Sequence, residues 1–233
     1  MKINNVAVIG AGLMGSGIAA QVANAGFPVT LLDIVPDGAT NRNVIAESAV
    51  SKMLKPVKLG SPTPLMHRRN AKLITTGNIE DNLDFIKDAD LIIEVVLERL
   101  DVKHDVFRKI DKFRKQGSII TSNTSTIPRE QLVEGMPDSF AKDFMITHFF
   151  NPPRYLRLLE IVSGSEVSQE KVQIVSEFCD EYDFINVDVE YFSNLLHSIS
   201  SQVEDLEAVL LPILDRKLDD LDPIERSVLR LGT

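Results

Sequence analysis

The chain has 233 residues, 44% hydrophobic and 25% charged, which suffices for one large domain or a mid-sized domain with a small one. A formal net charge of −9 argues against a nucleic-acid or anionic-membrane surface, which needs clustered Lys and Arg. One cysteine, Cys179, excludes an intrachain disulfide and suits a reducing, cytoplasmic setting, and no apolar run approaches the ~20 residues of a membrane-spanning helix.

In chain order, Val6-Ala7-Val8-Ile9 reads as a buried strand and 13–25 as a helix. Asn4, Asn5, Gln21 and Asn24 interrupt this apolar stretch, so it does not read as a signal peptide. A second strand is expected at 29–32 and a helix near 44–54, followed by a less regular basic segment through Arg69. A third strand is expected at 91–95, and the helix after it would place Val102, Val106, Ile110 and Phe113 on one face. Lys109, Lys112, Arg114 and Lys115 read as a solvated face of that helix. Further strands are expected at 118–121, 144–147 and 158–161. Apolar runs separated by helices predict an α/β fold of Rossmann type, a mostly parallel sheet with helices on both faces. Past about residue 180 the strand patterns stop. Leu195, Ile199, Val203, Leu206, Leu210 and Leu214 recur at helical spacing, and Asp222-Pro223-Ile224-Glu225 reads as a helix start. The predicted division is 1–183, an α/β domain, and 184–233, a short all-helical C-terminal segment.

Gly10-Ala11-Gly12-Leu13-Met14-Gly15 is a G-x-G-x-x-G between a strand and a helix. In that context Gly10 serves the tight turn, Gly12 the approach of a diphosphate, and Gly15 the close packing of helix on strand. The opening amides of the helix, around Leu13 and Met14, favour an anion. Asp33 closes the second strand, where a carboxylate accepts hydrogen bonds from an adenosine ribose and repels the extra phosphate of NADP. No Arg or Lys follows until Arg42, so NAD is favoured over NADP; FAD-binding domains share the fingerprint and remain the competitor.

Three segments end predicted strands at the edge where ligands bind in open α/β sheets: SNTST (122–126), HFFNPP (148–153) and LLEIVSG (158–164). With the N-terminal fingerprint and EVVLERLDVKHDVF (94–107), they resemble the NAD-binding domain of L-3-hydroxyacyl-CoA dehydrogenases over about residues 4–180. The resemblance implies NAD as cofactor, an acyl-CoA substrate, and oxidation of an L-3-hydroxyacyl-CoA to the 3-oxo form. It implies His148 as general base, Glu160 as its orienting partner and Ser125 as a hydroxyl near the substrate oxygen and the cofactor. Glu98, Lys103, Ser125 and Asn151 are implied on the nicotinamide side, with Gly10, Gly12, Leu13, Met14, Gly15 and Asp33 holding the rest of the dinucleotide. The chemistry is coherent, since an imidazole with a reference pKa of about 6.5 accepts a proton near neutrality and a carboxylate behind it stabilises the imidazolium. No metal site is expected. Ser125 and Asn151 also suit turns and caps, and Glu98 and Lys103 also suit solvated surface.

The resemblance breaks near residue 187. The family continues with a Lys-Asp-Thr-Pro-Gly-Phe-like turn, a helix bearing a catalytic Asn and a helical acyl-CoA and dimerisation domain. Residues 187–233 instead resemble an internal piece of the transcription antitermination factor N-utilisation substance B, without its basic N-terminal region. The expectation is a chimera joined near 179–186, impaired or non-catalytic as a dehydrogenase, whose apolar helical stripe must dock or self-associate.

Overall fold

Seven short strands, most of them apolar runs, assemble into one sheet. The protein was analysed as a computed structural model, which describes residues 2–55, 63–156, 158–181 and 202–214. Its strands are β1 (Val6–Ile9), β2 (Val29–Asp33), β3 (Ile74–Asn78), β4 (Leu91–Glu94), β5 (Ile119–Ser122), β6 (Phe144–Phe149) and β7 (Leu159–Ser163). They lie in the order β3-β2-β1-β4-β5-β6-β7, all parallel except β7, which runs antiparallel to β6. The order reverses between β1 and β4, and the crevice outside the carboxyl ends of those strands is where such sheets take ligands.

The helices are α1 (Leu13–Asn24), α2 (Val44–Met53), α3 (Leu100–Phe113), α4 (Arg129–Val133), α5 (Asp138–Ala141), α6 (Gln169–Glu181) and α7 (Val203–Leu210). One face of the sheet packs its Val8, Leu31, Ile93 and Met145 against α1, α2 and α6. The other packs Ile9, Ile92, Ile120 and Phe144 against α3, α4 and α5, where the Phe107 ring meets those of Phe140 and Phe144 at 5.5 and 5.2 Å. Covering both faces is what allows the central strands to be apolar throughout. Each aliphatic side chain so buried contributes roughly 1.5–3 kcal/mol.

Two expectations are corrected. An additional strand, β3, lies between the second and third expected ones, so Leu91–Glu94 is the fourth strand, not the third. Ile74-Thr75-Thr76-Gly77-Asn78 holds one aliphatic residue and pairs with β2 on one side only, so neither alternation nor an apolar run betrays it. On α3 the buried face is Lys103, Val106, Phe107 and Ile110, while Phe113 stays 45% exposed. The helix turns a lysine inward, for a reason that lies in the site.

The chain divides into two compact units, 1–186 and 187–233. Within the second, α7 is the described helix; Leu195, Ile199, the start at Asp222 and most of the segment resembling N-utilisation substance B lie outside the described residues.

Candidate functional site

The glycine loop follows β1 directly. Gly10 sits at φ +112°, a conformation that favours glycine, and a Cβ there would run into the Val95 carbonyl at the end of β4. A Cβ on Gly15 would strike the Gly10 carbonyl, so loop and α1 pack without room for a side chain. Gly12 differs: a Cβ there would meet nothing within 4 Å. The space is open on the ligand side of α1, whose first turn carries no side-chain cap and no acidic residue. Unpaired opening amides facing open space fit a diphosphate. Between this loop and α2 lies a cavity of about 600 Å³, bordered by Ala11, Gly12, Leu13, Ser16, Ser48 and Lys52.

Asp33 ends β2 beside the loop. Its Oδ2 accepts the Ala11 amide at 2.5 Å and its Oδ1 the Ile34 amide at 2.7 Å. Each carboxylate oxygen has a second lone pair, so the group that fixes the loop can also receive ribose hydroxyls. Arg42, the first cation after Asp33, is taken by Asp81 and Glu80 at 2.5 and 3.0 Å. The guanidinium beside Asp81 holds that carboxyl below its usual range.

The other half of the site stands on β6 and β7. In the antiparallel register His148 lies directly opposite Glu160, and its Nδ1 is 2.8 Å from Glu160 Oε2. An ionised carboxylate there fixes the proton on Nδ1 and leaves Nε2 as the basic nitrogen. Both residues border a cavity of about 290 Å³ with Thr124, Ser125 and Thr126. Ser125 is exposed on that wall. The Phe149 amide donates to Asn123 Oδ1 at 2.8 Å, tying the end of β6 to the SNTST loop. Asn151 lies across from the start of α1, where Leu13, Ser16, Gly17 and the segment Asn151–Tyr155 enclose about 300 Å³.

Between the halves sits a buried charge network that the sequence analysis did not assemble. Lys103, only 1% exposed, donates to Glu94 Oε1 and Oε2 at 2.9 and 3.1 Å and lies 3.2 Å from Glu98 Oε2. Glu94, fully buried, also accepts the Ser122 hydroxyl and the Val96 amide, both at 2.6 Å. Glu98 reaches the rim, where the Thr124 and Thr126 hydroxyls donate to it. Burial alone would raise the Glu98 carboxyl, but those hydroxyls and the Lys103 ammonium outweigh it and hold it below the usual range.

The structure thus gathers Gly10, Gly12, Leu13, Met14, Gly15 and Asp33 at one end of the crevice, and Glu98, Ser125, His148 and Glu160 at the other. Lys103 is the exception. Its ammonium lies beneath the crevice wall, bonded to the buried Glu94 and 3.2 Å from Glu98 at the rim. Glu94, Asn123 and Thr124 were missed. A carboxylate closing the apolar run Leu91-Ile92-Ile93, with a lysine on the buried face of the next helix, was the available signal.

A sequence model of the 3-hydroxyacyl-CoA dehydrogenase NAD-binding domain matches residues 5–191. A probable 3-hydroxyacyl-CoA dehydrogenase of Deinococcus radiodurans is 46% identical over 180 residues, covering 77% of this chain and 51% of that protein. Another of Bacillus subtilis is 44% identical over 190 residues, covering 76% of this chain and 24% of that protein. The chain therefore spans about half or a quarter of the length of these relatives. The crystal structure of 3-hydroxybutyryl-CoA dehydrogenase from Escherichia coli superimposes with a TM-score of 0.65 at 26% identity, over 87% of this chain and 44% of that one.

Proposed function

The chain belongs to the family of 3-hydroxyacyl-CoA dehydrogenase NAD-binding domains, and on that premise we propose that it binds NAD along the carboxyl edge of its sheet and interconverts an L-3-hydroxyacyl-CoA with its 3-oxoacyl-CoA. The observation that carries this reading is the hydrogen-bonded His148–Glu160 pair, 2.8 Å apart on paired strands and bordering the same cavity as Ser125.

Bound NAD supplies the hydride acceptor; the remaining work falls to the protein. His148 Nε2 takes the proton of the 3-hydroxyl as the carbon gives up its hydride, and returns it in the reverse direction. Glu160 keeps the proton on Nδ1 and offsets the charge of the imidazolium. The Ser125 hydroxyl orients the reacting oxygen. Asp33, Gly12 and the opening amides of α1 hold the dinucleotide, with Glu98 and Asn151 on the side towards the reaction. Asp33 and the occupied Arg42 together favour NAD over its phosphorylated form.

The test is NADH-dependent reduction of acetoacetyl-CoA by the full chain, with His148→Gln beside it. Saturable turnover is expected, reduced about 10³-fold in the variant. Equal rates in the two proteins sink the catalytic reading, and NADH binding without turnover reduces the chain to a cofactor-binding module. The reading of 187–233 as a helical segment of different parentage has the support of α7 for its helical character. Exposed Val209, Leu211 and Ile213 within that unit favour self-association, which sedimentation at two concentrations checks. The single cysteine of the chain suits the cytoplasm.

A further inference from the structure

Glu94 is fully buried, yet three donor groups make four hydrogen bonds to it. Its Oε1 accepts Lys103 Nζ and the Val96 amide, and its Oε2 accepts Lys103 Nζ and the Ser122 hydroxyl, at 2.6 to 3.1 Å. An arrangement with donors on every side is that of an ionised carboxylate, because a protonated one would turn an O–H towards another donor. Burial holds the Glu94 carboxyl above its usual range, with Lys103 and the other donors offsetting only part of that effect, so the ionised form rests on the donor geometry. Such an ion pair, sealed from water, is an expensive way to hold a strand against a helix; apolar residues of the same size often do so as well or better.

The network's charge balance gives it another use. Two carboxylates share one ammonium, so Glu94, Glu98 and Lys103 together carry one surplus negative charge. Of the three, Glu98 alone is substantially exposed, at 39%, and its Thr124 and Thr126 donors line the cavity that holds His148 and Glu160. Lys103 by itself would cancel Glu98. Glu94 occupies Lys103 from behind, and the uncompensated charge is left at the crevice.

We propose that Glu94 is a charge-setting residue: by neutralising Lys103 it leaves Glu98 uncompensated beside the reacting end of the cofactor, and so favours the oxidised, positively charged nicotinamide over the reduced, neutral one. The inference rests on the NAD reading above. Glu94 touches neither cofactor nor substrate and acts through its partners.

Calorimetric titration of the full chain with NAD, NADH and ADP-ribose tests it. ADP-ribose lacks the nicotinamide and reports the adenosine half alone. In Glu94→Gln the surplus charge is gone, and NAD affinity should fall relative to NADH by about fivefold, the order expected for one charge several ångströms away in a partly desolvated site. ADP-ribose affinity should hold within twofold. The double variant Glu94→Gln/Lys103→Met removes one charge of each sign, so the surplus returns without the ion pair. Its ratio of NAD to NADH affinities should recover to within twofold of the parent, a rescue that a purely structural role does not produce. An unchanged ratio in folded Glu94→Gln, or no recovery in the double variant, overturns the proposal. Should Glu94→Gln fail to fold, Glu98→Gln removes the same surplus charge at the crevice: NAD affinity should fall relative to NADH by about fivefold, and an unchanged ratio overturns the proposal. A parent chain that binds neither NADH nor ADP-ribose overturns the NAD reading and this inference with it.

Discussion

The two ends of the sheet are both charged, and they differ in how the charges are spent. At the amino ends of the strands, Asp90 accepts the amides of Asn4 and Asn5 and the Lys115 ammonium at 2.8, 3.0 and 2.5 Å. Asp143 takes Arg114 at 2.7 Å and also Lys171. The carboxylates there are 8% exposed and closed by partners, and two members of the basic run read as a solvated face, Arg114 and Lys115, belong to this latch. At the carboxyl ends, Glu160 is 57% exposed and His148 20%, both on a cavity wall, and α1 opens without a cap. Ion pairs that saturate one another hold a fold together. Polar groups with capacity left over, facing open volume, take a ligand.

The sharpest way to break this contrast is to change one residue at each end. Glu160→Gln preserves the shape of the His148 partner but not its charge or its preference for one tautomer. Acetoacetyl-CoA reduction should fall about 10³-fold while the melting temperature stays put. Combined with His148→Gln the loss should be far less than the product of the two, because the pair acts as one unit. Arg114→Met makes the opposite cut. It leaves Asp143 buried with Lys171 alone, and should cost about 3 kcal/mol in chemical denaturation, with NADH affinity of the folded protein unchanged. An activity loss from Arg114→Met at unchanged stability would erase the distinction between the ends.

Within the carboxyl end, two glycines sharpen it further. Gly10→Ala drives a Cβ into the Val95 carbonyl at a positive φ, so stability and binding should fall together. Gly12→Ala places its Cβ in open space; the melting temperature should hold while the NADH Kd rises about tenfold. Calorimetry beside thermal melts separates the two. A Gly12→Ala protein that binds NADH like its parent would show that the phosphates lie elsewhere.

How much of this was legible beforehand follows from how each part is encoded. The inner strands announce themselves as runs such as Val6-Ala7-Val8-Ile9, because a strand covered on both faces must be apolar throughout, and the edge strand β7 shows only through Leu159, Ile161 and Val162 around Glu160. The phosphate loop is equally plain, since close backbone approach has a local signature in glycine. β3 carries no such mark, because an edge strand needs few apolar side chains. The Glu94–Lys103–Glu98 network stayed hidden for another reason. Glu98 and Lys103 are candidates only through the family resemblance and otherwise suit surface, and the meeting of the β4 end with the inner face of α3 is what buries Lys103 against Glu94. Lys103 in place of Val102 on that face is the same fact seen from the helix.

The smallest expected effect concerns the latch and pH. Burial alone would raise the Asp90 carboxyl, but the Lys115 ammonium and the Asn4 and Asn5 amides outweigh it and hold it below the usual range. A carboxylate depressed on folding adds stability that is fully present above its unfolded pKa, near 3.9, and is lost as the pH falls through the lower folded value. Asp90→Asn removes this contribution at neutral pH, about 1 kcal/mol given that Lys115 is 39% exposed and screened by water. The gap in unfolding free energy between parent and variant should therefore be constant from pH 7 down to about 5, then narrow as the parent's own carboxylate is protonated. His148 and Glu160 lie at the other end of the sheet, so NADH affinity should be the same in both proteins throughout. A gap that widens towards acid would mean that Asp90 is not the stabilising anion its three donors make it.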